Sequence, residues 1–197
     1  MKRSCNFMIK TLYPIFQKWS EKGSIYFVSD THFEDADCKF MDPDWITPEK
    51  HIANLKKLVH KNDTLIHLGD VGNPAYMDEL KCYKVLITGN HDVRNKMAGH
   101  FDEIYTGPLF IADRILLSHE PISGLGEMCL NIHGHVHNGT FYDGEGLNFA
   151  SDVIGWNENN TIISLKDILE AGYLKDVKNY HRITIDEAIK KKGVINE

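Results

Sequence analysis

Short apolar runs recur along this chain, and each gives way abruptly to polar residues: SIYFVSDTH, DTLIHLGD, YKVLITGNHD, DRILLSHEP and MCLNIHGHVH. Apolar or β-branched runs of this length, bounded by turn formers, read as buried strands. Between the first two lies TPEKHIANLKKLVH, with Thr47 as N-cap, Pro48 at the first helical position and Ile52, Leu55, Leu58 and Val59 on one face. That pattern predicts a helix. Asn73-Pro74 opens a shorter one, Ala75 to Leu80, before the third run. The resulting β-α-β-α-β spacing predicts parallel pairing.

After Asn90 the runs crowd together, at 109–112, 114–118, 129–133 and 146–150, which predicts an additional antiparallel or mixed sheet. Two helices then follow. Ser164-Leu-Lys-Asp167 opens one that Gly172 ends, and Thr184-Ile-Asp-Glu187 opens another that Gly193 ends. The chain reads as α/β, with two sheets flanked by helices. Residues 1–23 lack the unbroken apolar core and small-residue cleavage site of a signal peptide. Met8, Ile9, Leu12, Phe16 and Trp19 instead predict one face of a helix or extension, kinked or split at Pro14 and docked on a domain of residues 24–197, with membrane-surface attachment as the alternative.

Composition narrows this picture. With 197 residues and no repeat, low-complexity segment or linker, the chain is most simply one domain. A net charge of -6 without a basic run argues against broad binding to nucleic acid or an anionic membrane. Cys5, Cys38, Cys82 and Cys129 are scattered with no C-x-x-C pair, which argues against a zinc ribbon or disulfide framework and suits a reducing compartment. No apolar stretch approaches the ~18 residues needed to cross a bilayer. The expected location is cytoplasmic.

The candidate chemistry lies where the strands end. Asp30 and His32 follow the first, Asp70 the second, and Asn90, His91 and Asp92 the third; His119 follows a later strand, and His135 and His137 the last. Residues just beyond the carboxyl ends of strands in open α/β sheets converge on one crevice. Seven of them are candidate metal ligands: Asp30, His32, Asp70, Asn90, His119, His135 and His137. All but Asn90 are Asp or His, types that bind borderline divalent metals. Gly69, Gly89 and Gly134 precede three of them and let the backbone turn sharply. Each piece alone has an ordinary reading, since a lone His119 is more often a satisfied core histidine. Together and in order, all at strand ends, they predict a joint site. Seven ligands exceed the four of a structural zinc.

On these residues the sequence resembles the calcineurin-like metallophosphoesterases. Their motifs D-x-H, G-D, G-N-H-[DE], H and G-H-x-H read here as DTH, GD, GNHD, SHEP and GHVH, over about residues 24–165. The resemblance implies two mixed β-sheets packed face to face with helices outside. It implies two divalent ions, one held by Asp30, His32, Asp70 and His137 and the other by Asp70, Asn90, His119 and His135, with Asp70 bridging. Manganese or an iron-containing pair is the implied choice, and Zn, Co or Ni also suit the mixed N/O set.

The implied reaction is hydrolysis of a phosphate ester, a phosphodiester foremost, by a metal-bridging hydroxide. In this scheme His91 protonates the leaving oxygen and Asp92 orients it, an N-cap on the following turn being the other role open to Asp92. Arg94 is the nearest cation for the substrate phosphate, or a solvated surface arginine. His67 and His133 match no motif position and read as structural; His51, His60, His100 and His181 read as helix or loop surface. Phe33, Trp45, Tyr76, Phe141 and Tyr142 can stack on a substrate or pack the core.

The segment GDVGNP lacks the arginine that protein Ser/Thr phosphatases carry after G-D, which counts against phosphoprotein substrates. A chain this short leaves no room for a large cap domain, so an open site for a small phosphate ester is expected. A metal-dependent nuclease remains as an alternative, with nucleic acid as its substrate. So does a non-catalytic scaffold, as in a retromer subunit of this fold, although that relative lacks some motif histidines. The size and the apolar N-terminal segment are compatible with a homodimer.

Overall fold

The apolar runs form the strands of two sheets in a computed structural model that describes residues 10–11, 16, 19, 23–112, 114–154, 164–178 and 187. The first sheet holds β2 (Ile25–Val28), β3 (Thr64–His67), β4 (Tyr83–Ile87) and β5 (Glu103–Tyr105) in that order, all parallel. Every residue of β3 is buried, as its unbroken apolar run requires of a strand covered on both faces. The second sheet has the order β1 (Lys10–Thr11), β6 (Leu109–Ala112), β7 (Ile115–Leu117), β8 (Leu130–His133) and β9 (Gly146–Asn148). It is mixed: β6 and β7 are antiparallel, and the other pairs are parallel.

One apolar cluster takes side chains from both sheets. Phe27 of β2 meets Phe149, just past β9, edge to face at 5.6 Å. A parallel bridge between Ser29 and Ala150 joins the ends of β2 and β9. The carboxyl ends of strands from both sheets therefore open on one side of the molecule.

Four helices are described: α1 (Cys38–Met41), α2 (Pro48–Leu58), α3 (Arg94–Met97) and α4 (Leu165–Glu170). Thr47 caps α2 by accepting from the Lys50 N–H, with Pro48 at the first position, and Ile52 and Leu55 are buried. Asn73 likewise caps the next element, but Pro74–Glu79 winds as a 3-10 helix. α4 carries a full capping box between Ser164 and Asp167, and Gly172 follows at φ 83°.

Two expectations change. Lys10 and Thr11 are strand, paired with Leu109 and Phe110, where a helix face was one option for the N-terminal segment. His51 is buried at 1% exposure, against the surface position expected of it. It sits on the inward side of α2 beside Ile52, and the rings of Phe33 and Trp45 close over it. Burial pushes its imidazole down to about 2. The helix expected from Thr184 lies outside the described residues, Glu187 apart, and so does His181. No described helix is long and apolar enough to cross a membrane.

Candidate metal centre

The loop after each strand is tied to its neighbour through the backbone. Asp30 N–H donates to the Gly69 carbonyl, His32 N–H to that of Asp70, and Phe33 N–H to that of Val71, so the loops after β2 and β3 run as one layer. Asp92, after β4, joins this layer. Its carboxylate accepts the N–H groups of Gly89 and Asp70, both at 2.9 Å, and of Val71 at 3.0 Å. Its hydrogen bonds go to backbone rather than to the His91 ring, and the residue capping α3 is Val93.

Four of the candidate ligands sit in the left-handed backbone region: Asp30 (φ 54°), His32 (40°), Asp70 (56°) and His135 (69°). Such conformations cost on the order of 1–3 kcal/mol each and persist where the surroundings dictate them. Here they turn the side chains inward from the strand ends. Two glycines let these turns close. A Cβ at Gly134 would stand 2.3 Å from Asp30 Oδ2, and one at Gly89 would stand 2.2 Å from Asp70 Oδ1.

The turned-in donors form two groups, Asp30, His32 and His137 in one, Asp70, His119 and His135 in the other; within each, the donor atoms lie within 4.8 Å of one another. In the first group, Asp30 Oδ1 is 3.9 Å from His32 Nε2 and 3.7 Å from His137 Nε2. In the second, Asp70 Oδ2 is 3.3 Å from His119 Nε2, which stands 3.1 Å from His135 Nδ1 and 2.8 Å from Asn90 Oδ1. The same Asp70 oxygen lies 3.8 Å from His32 Nε2. Donors bound to one ion at ~2.0–2.2 Å stand about 3–4 Å apart, so these spacings fit divalent ions.

The polar bookkeeping agrees with that fit. Asp30 Oδ1 and His32 Nε2 are buried with no hydrogen-bond partner, a costly arrangement that a cation between them would resolve. Burial raises the Asp30 carboxyl above its usual range, in the absence of a neighbouring ion. Burial also works against Asp70, but the hydrogen bond and charge of His119 hold its carboxyl down at about 2.

The outward nitrogens of three imidazoles are engaged. His32 Nδ1 pairs with Asp35 at 3.1 Å, His137 Nδ1 with Asp152 at 2.9 Å, and His119 Nδ1 donates to the Leu68 carbonyl at 2.9 Å. These acceptors hold a proton on Nδ1 and turn Nε2 inward, the atom that ligates in metal-binding histidines. Neither Asp35 nor Asp152 belongs to any of the motifs in the sequence. Asp35 could have been found three residues after His32; Asp152 carries no spacing signal.

His67 and His133 are buried outside both groups. His67 bridges the Gly69 N–H and the Thr31 hydroxyl, and burial lowers it to about 3; His133 lies 2.8 Å from the Gly134 carbonyl. Trp45 and Phe33 are packed beneath the site, Trp45 against the rings of His32 and His137.

His91 is exposed, its ring edge-on to His32 at 5.7 Å. Both line a cleft of about 510 Å³ that also meets Glu34, Asn73 and Lys96. Arg94 is exposed at the start of α3, and the cation lining this cleft is Lys96, two residues on. A second cleft, of about 310 Å³, borders Asn90 and His119 and runs along Thr88, Thr106 and Ile122.

Two sheets whose strand ends converge on clustered Asp and His donors define an α/β architecture with a candidate metal centre. Residues 24–150 match the model of the calcineurin-like phosphoesterase superfamily domain, and the chain belongs to that superfamily. The superfamily uses divalent metal ions, and the two donor groups can bind them.

Among solved structures, the chain resembles AQ665 of Aquifex aeolicus, a protein of unknown function. The two are 29% identical with a TM-score of 0.62, over 75% of this chain and 98% of that one. It also matches Pseudomonas putida nuclease MPE, with 24% identity and a TM-score of 0.42 over 61% of this chain and 65% of that one. A novel archaeal phosphodiesterase matches at 19% identity and a TM-score of 0.44, over 68% of this chain and 87% of that one. No curated protein matches significantly.

Proposed function

We propose that this chain is a dinuclear-metal phosphoesterase acting on a small phosphodiester. The observation that carries the reading is the position of Asp70 Oδ2, 3.8 Å from a donor of one group and 3.3 Å from a donor of the other. A carboxylate oxygen shared in this way suits two ions held side by side. Asp30, His32 and His137 would hold one ion, and Asn90, His119 and His135 the other, with Asp70 common to both. When bound, the ions polarise the phosphoryl group and lower the pKa of water. Manganese is the ion we favour, on the resemblance to the superfamily; the N/O donor set suits Fe, Zn, Co or Ni as well.

The chain's own residues supply the rest. His91 stands exposed at the mouth of the larger cleft, where it can give a proton to the departing oxygen. Asp92 acts as a positioning residue through backbone, because it fixes Gly89, Asp70 and Val71 against one another and so sets the loop that carries His91. The preference for a diester follows from charge. A phosphomonoester carries roughly −1.5 to −2 at neutral pH, and Glu34 and Asp35 line the same cleft as Lys96. A diester, with a single charge, meets less repulsion there.

The test is hydrolysis of bis-p-nitrophenyl phosphate and p-nitrophenyl phosphate after chelation, then with single divalent metals restored. Metal-restored turnover favouring the diester is expected. Equal turnover before and after complete chelation would sink the reading.

A further inference from the structure

The two clefts share no lining residue, and they reach the ligand cluster at different places: the larger at His32 and His91, the smaller at Asn90 and His119. A monoester needs space for one organic arm, whereas a diester needs space for two. In an in-line displacement the attacking and leaving oxygens lie on opposite sides of phosphorus, and the retained arm projects sideways from that axis. Leaving and retained arms therefore point in different directions, which two separate clefts can serve.

Resting on the hydrolase reading above, we infer that the leaving arm of the diester occupies the His91–Lys96 cleft and the retained arm the Thr106–Ile122 cleft. His91 fixes this polarity. The bond from phosphorus to the leaving oxygen breaks as a bond to the oxygen of water forms. The leaving oxygen takes its proton from His91, the attacking water gives one up to solvent, and solvent re-protonates the imidazole. The products are an alcohol, released from the larger cleft, and a monoester whose organic group lies in the smaller one.

The lining of the smaller cleft sets the chemistry of the retained arm. Thr88 and Thr106 bring hydroxyls, Pro121 and Ile122 bring apolar surface, Glu120 brings a carboxylate, and among the described residues no Lys or Arg lines it. An uncharged arm fits: an alkyl or aryl group, or a single nucleoside. The internal linkage of a polynucleotide does not, because it would place another phosphate against Glu120 with no cation to receive it. The substrate class is thus a small diester whose retained half carries no further phosphate.

The experiment compares two diesters that release the same p-nitrophenol, methyl p-nitrophenyl phosphate and thymidine 5′-(p-nitrophenyl phosphate). Thr106 is exposed, so Thr106→Trp can fill the smaller cleft from its rim. The ratio of kcat/KM for the thymidine ester to that for the methyl ester should fall at least about tenfold, the scale of losing a pocket contact. Lys96→Trp, which fills the leaving-arm cleft, should slow both esters and leave that ratio within about twofold, well below the smallest such loss.

A binding readout stands beside the kinetics. Phenyl phosphate added to the zinc-loaded protein should shift the amide resonances of Thr106 and Ile122 more than those of Asn73 and Lys96. A ratio unmoved by Thr106→Trp in a folded variant, or one that responds to Lys96→Trp instead, overturns the arm assignment alone. No metal-dependent turnover of either ester by the unaltered chain overturns the hydrolase reading, and the assignment with it.

Discussion

The two donor groups of the centre are built from similar residues but held in different ways. In the group of Asp30, His32 and His137, both imidazoles lean on carboxylates, Asp35 and Asp152, and Trp45 packs against both rings. In the group of Asp70, His119 and His135, one imidazole leans on the Leu68 carbonyl, and the set is completed by the exposed Asn90. A carboxylate partner raises ligand basicity and locks the ring more firmly than a carbonyl does. One half of the centre is therefore stiffened from behind, while the other faces solvent and the smaller cleft. Asp70 links them, and the loop clamp of Asp92 keeps that link in register. The contrast teaches that ligand identity and ligand support are separate layers of the site.

The strongest way to break the contrast is to remove what the halves share. Asp70→Ala should abolish binding of both ions and lower turnover by well over the ~10–100-fold typical of losing an outer partner. Metal content per chain by mass spectrometry, with kcat on the diester, checks this. Retention of one full equivalent would show that the groups are independent.

His91→Ala separates chemistry from binding. Turnover should drop by about 10²–10⁴, the range for a positioned acid or base, with metal content unchanged. Loss of metal in this variant would make His91 a ligand or a structural support instead of the acid.

Asp35→Ala and Asp152→Ala sharpen the comparison between the halves. Each should weaken one of the two metal equivalents by ~10–100-fold and leave the other near its original affinity. Stepwise titration of the chelated protein gives both constants in one experiment. Parallel weakening of both steps would mean that the halves are supported as one unit.

The smallest effect concerns stability. His51 is buried and lowered to about 2, so below its unfolded value near 6.5 the unfolded chain binds a proton that the folded chain refuses. Its contribution is present above pH 6.5 and lost as the pH falls from there, at about 1.4 kcal/mol per pH unit. Replacing it with Phe, which suits the Phe33–Trp45 surroundings, should flatten the decline in urea-unfolding stability between about pH 6 and 4. An unchanged slope would assign the acid sensitivity to other groups.

The strands and the gathering of Asp and His donors at their ends were legible because both follow periodic or punctuated patterns. An apolar run ending in a glycine or a polar triplet is visible in one sequence, and strand order brings such ends together. The supports were not legible. Asp152 reaches His137 from 15 residues away across a turn whose path no spacing encodes. Asp92 bonds to N–H groups, which every residue but proline carries, so nothing in the sequence marks its partners. His51 reads as exposed on the helix pattern alone, since the ring that covers it comes from Trp45 in the preceding loop. Lys96, and not Arg94, lines the cleft because α3 is a single short turn, too brief for periodicity to show which side faces inward.

The most direct test of the central claim is anomalous diffraction from crystals of the manganese-loaded chain, recorded on both sides of the manganese absorption edge. Two peaks per chain are expected to flank Asp70 Oδ2, one against Asp30, His32 and His137, the other against Asn90, His119 and His135. A single peak confined to one group at saturating manganese, or none at Asp70, would contradict it.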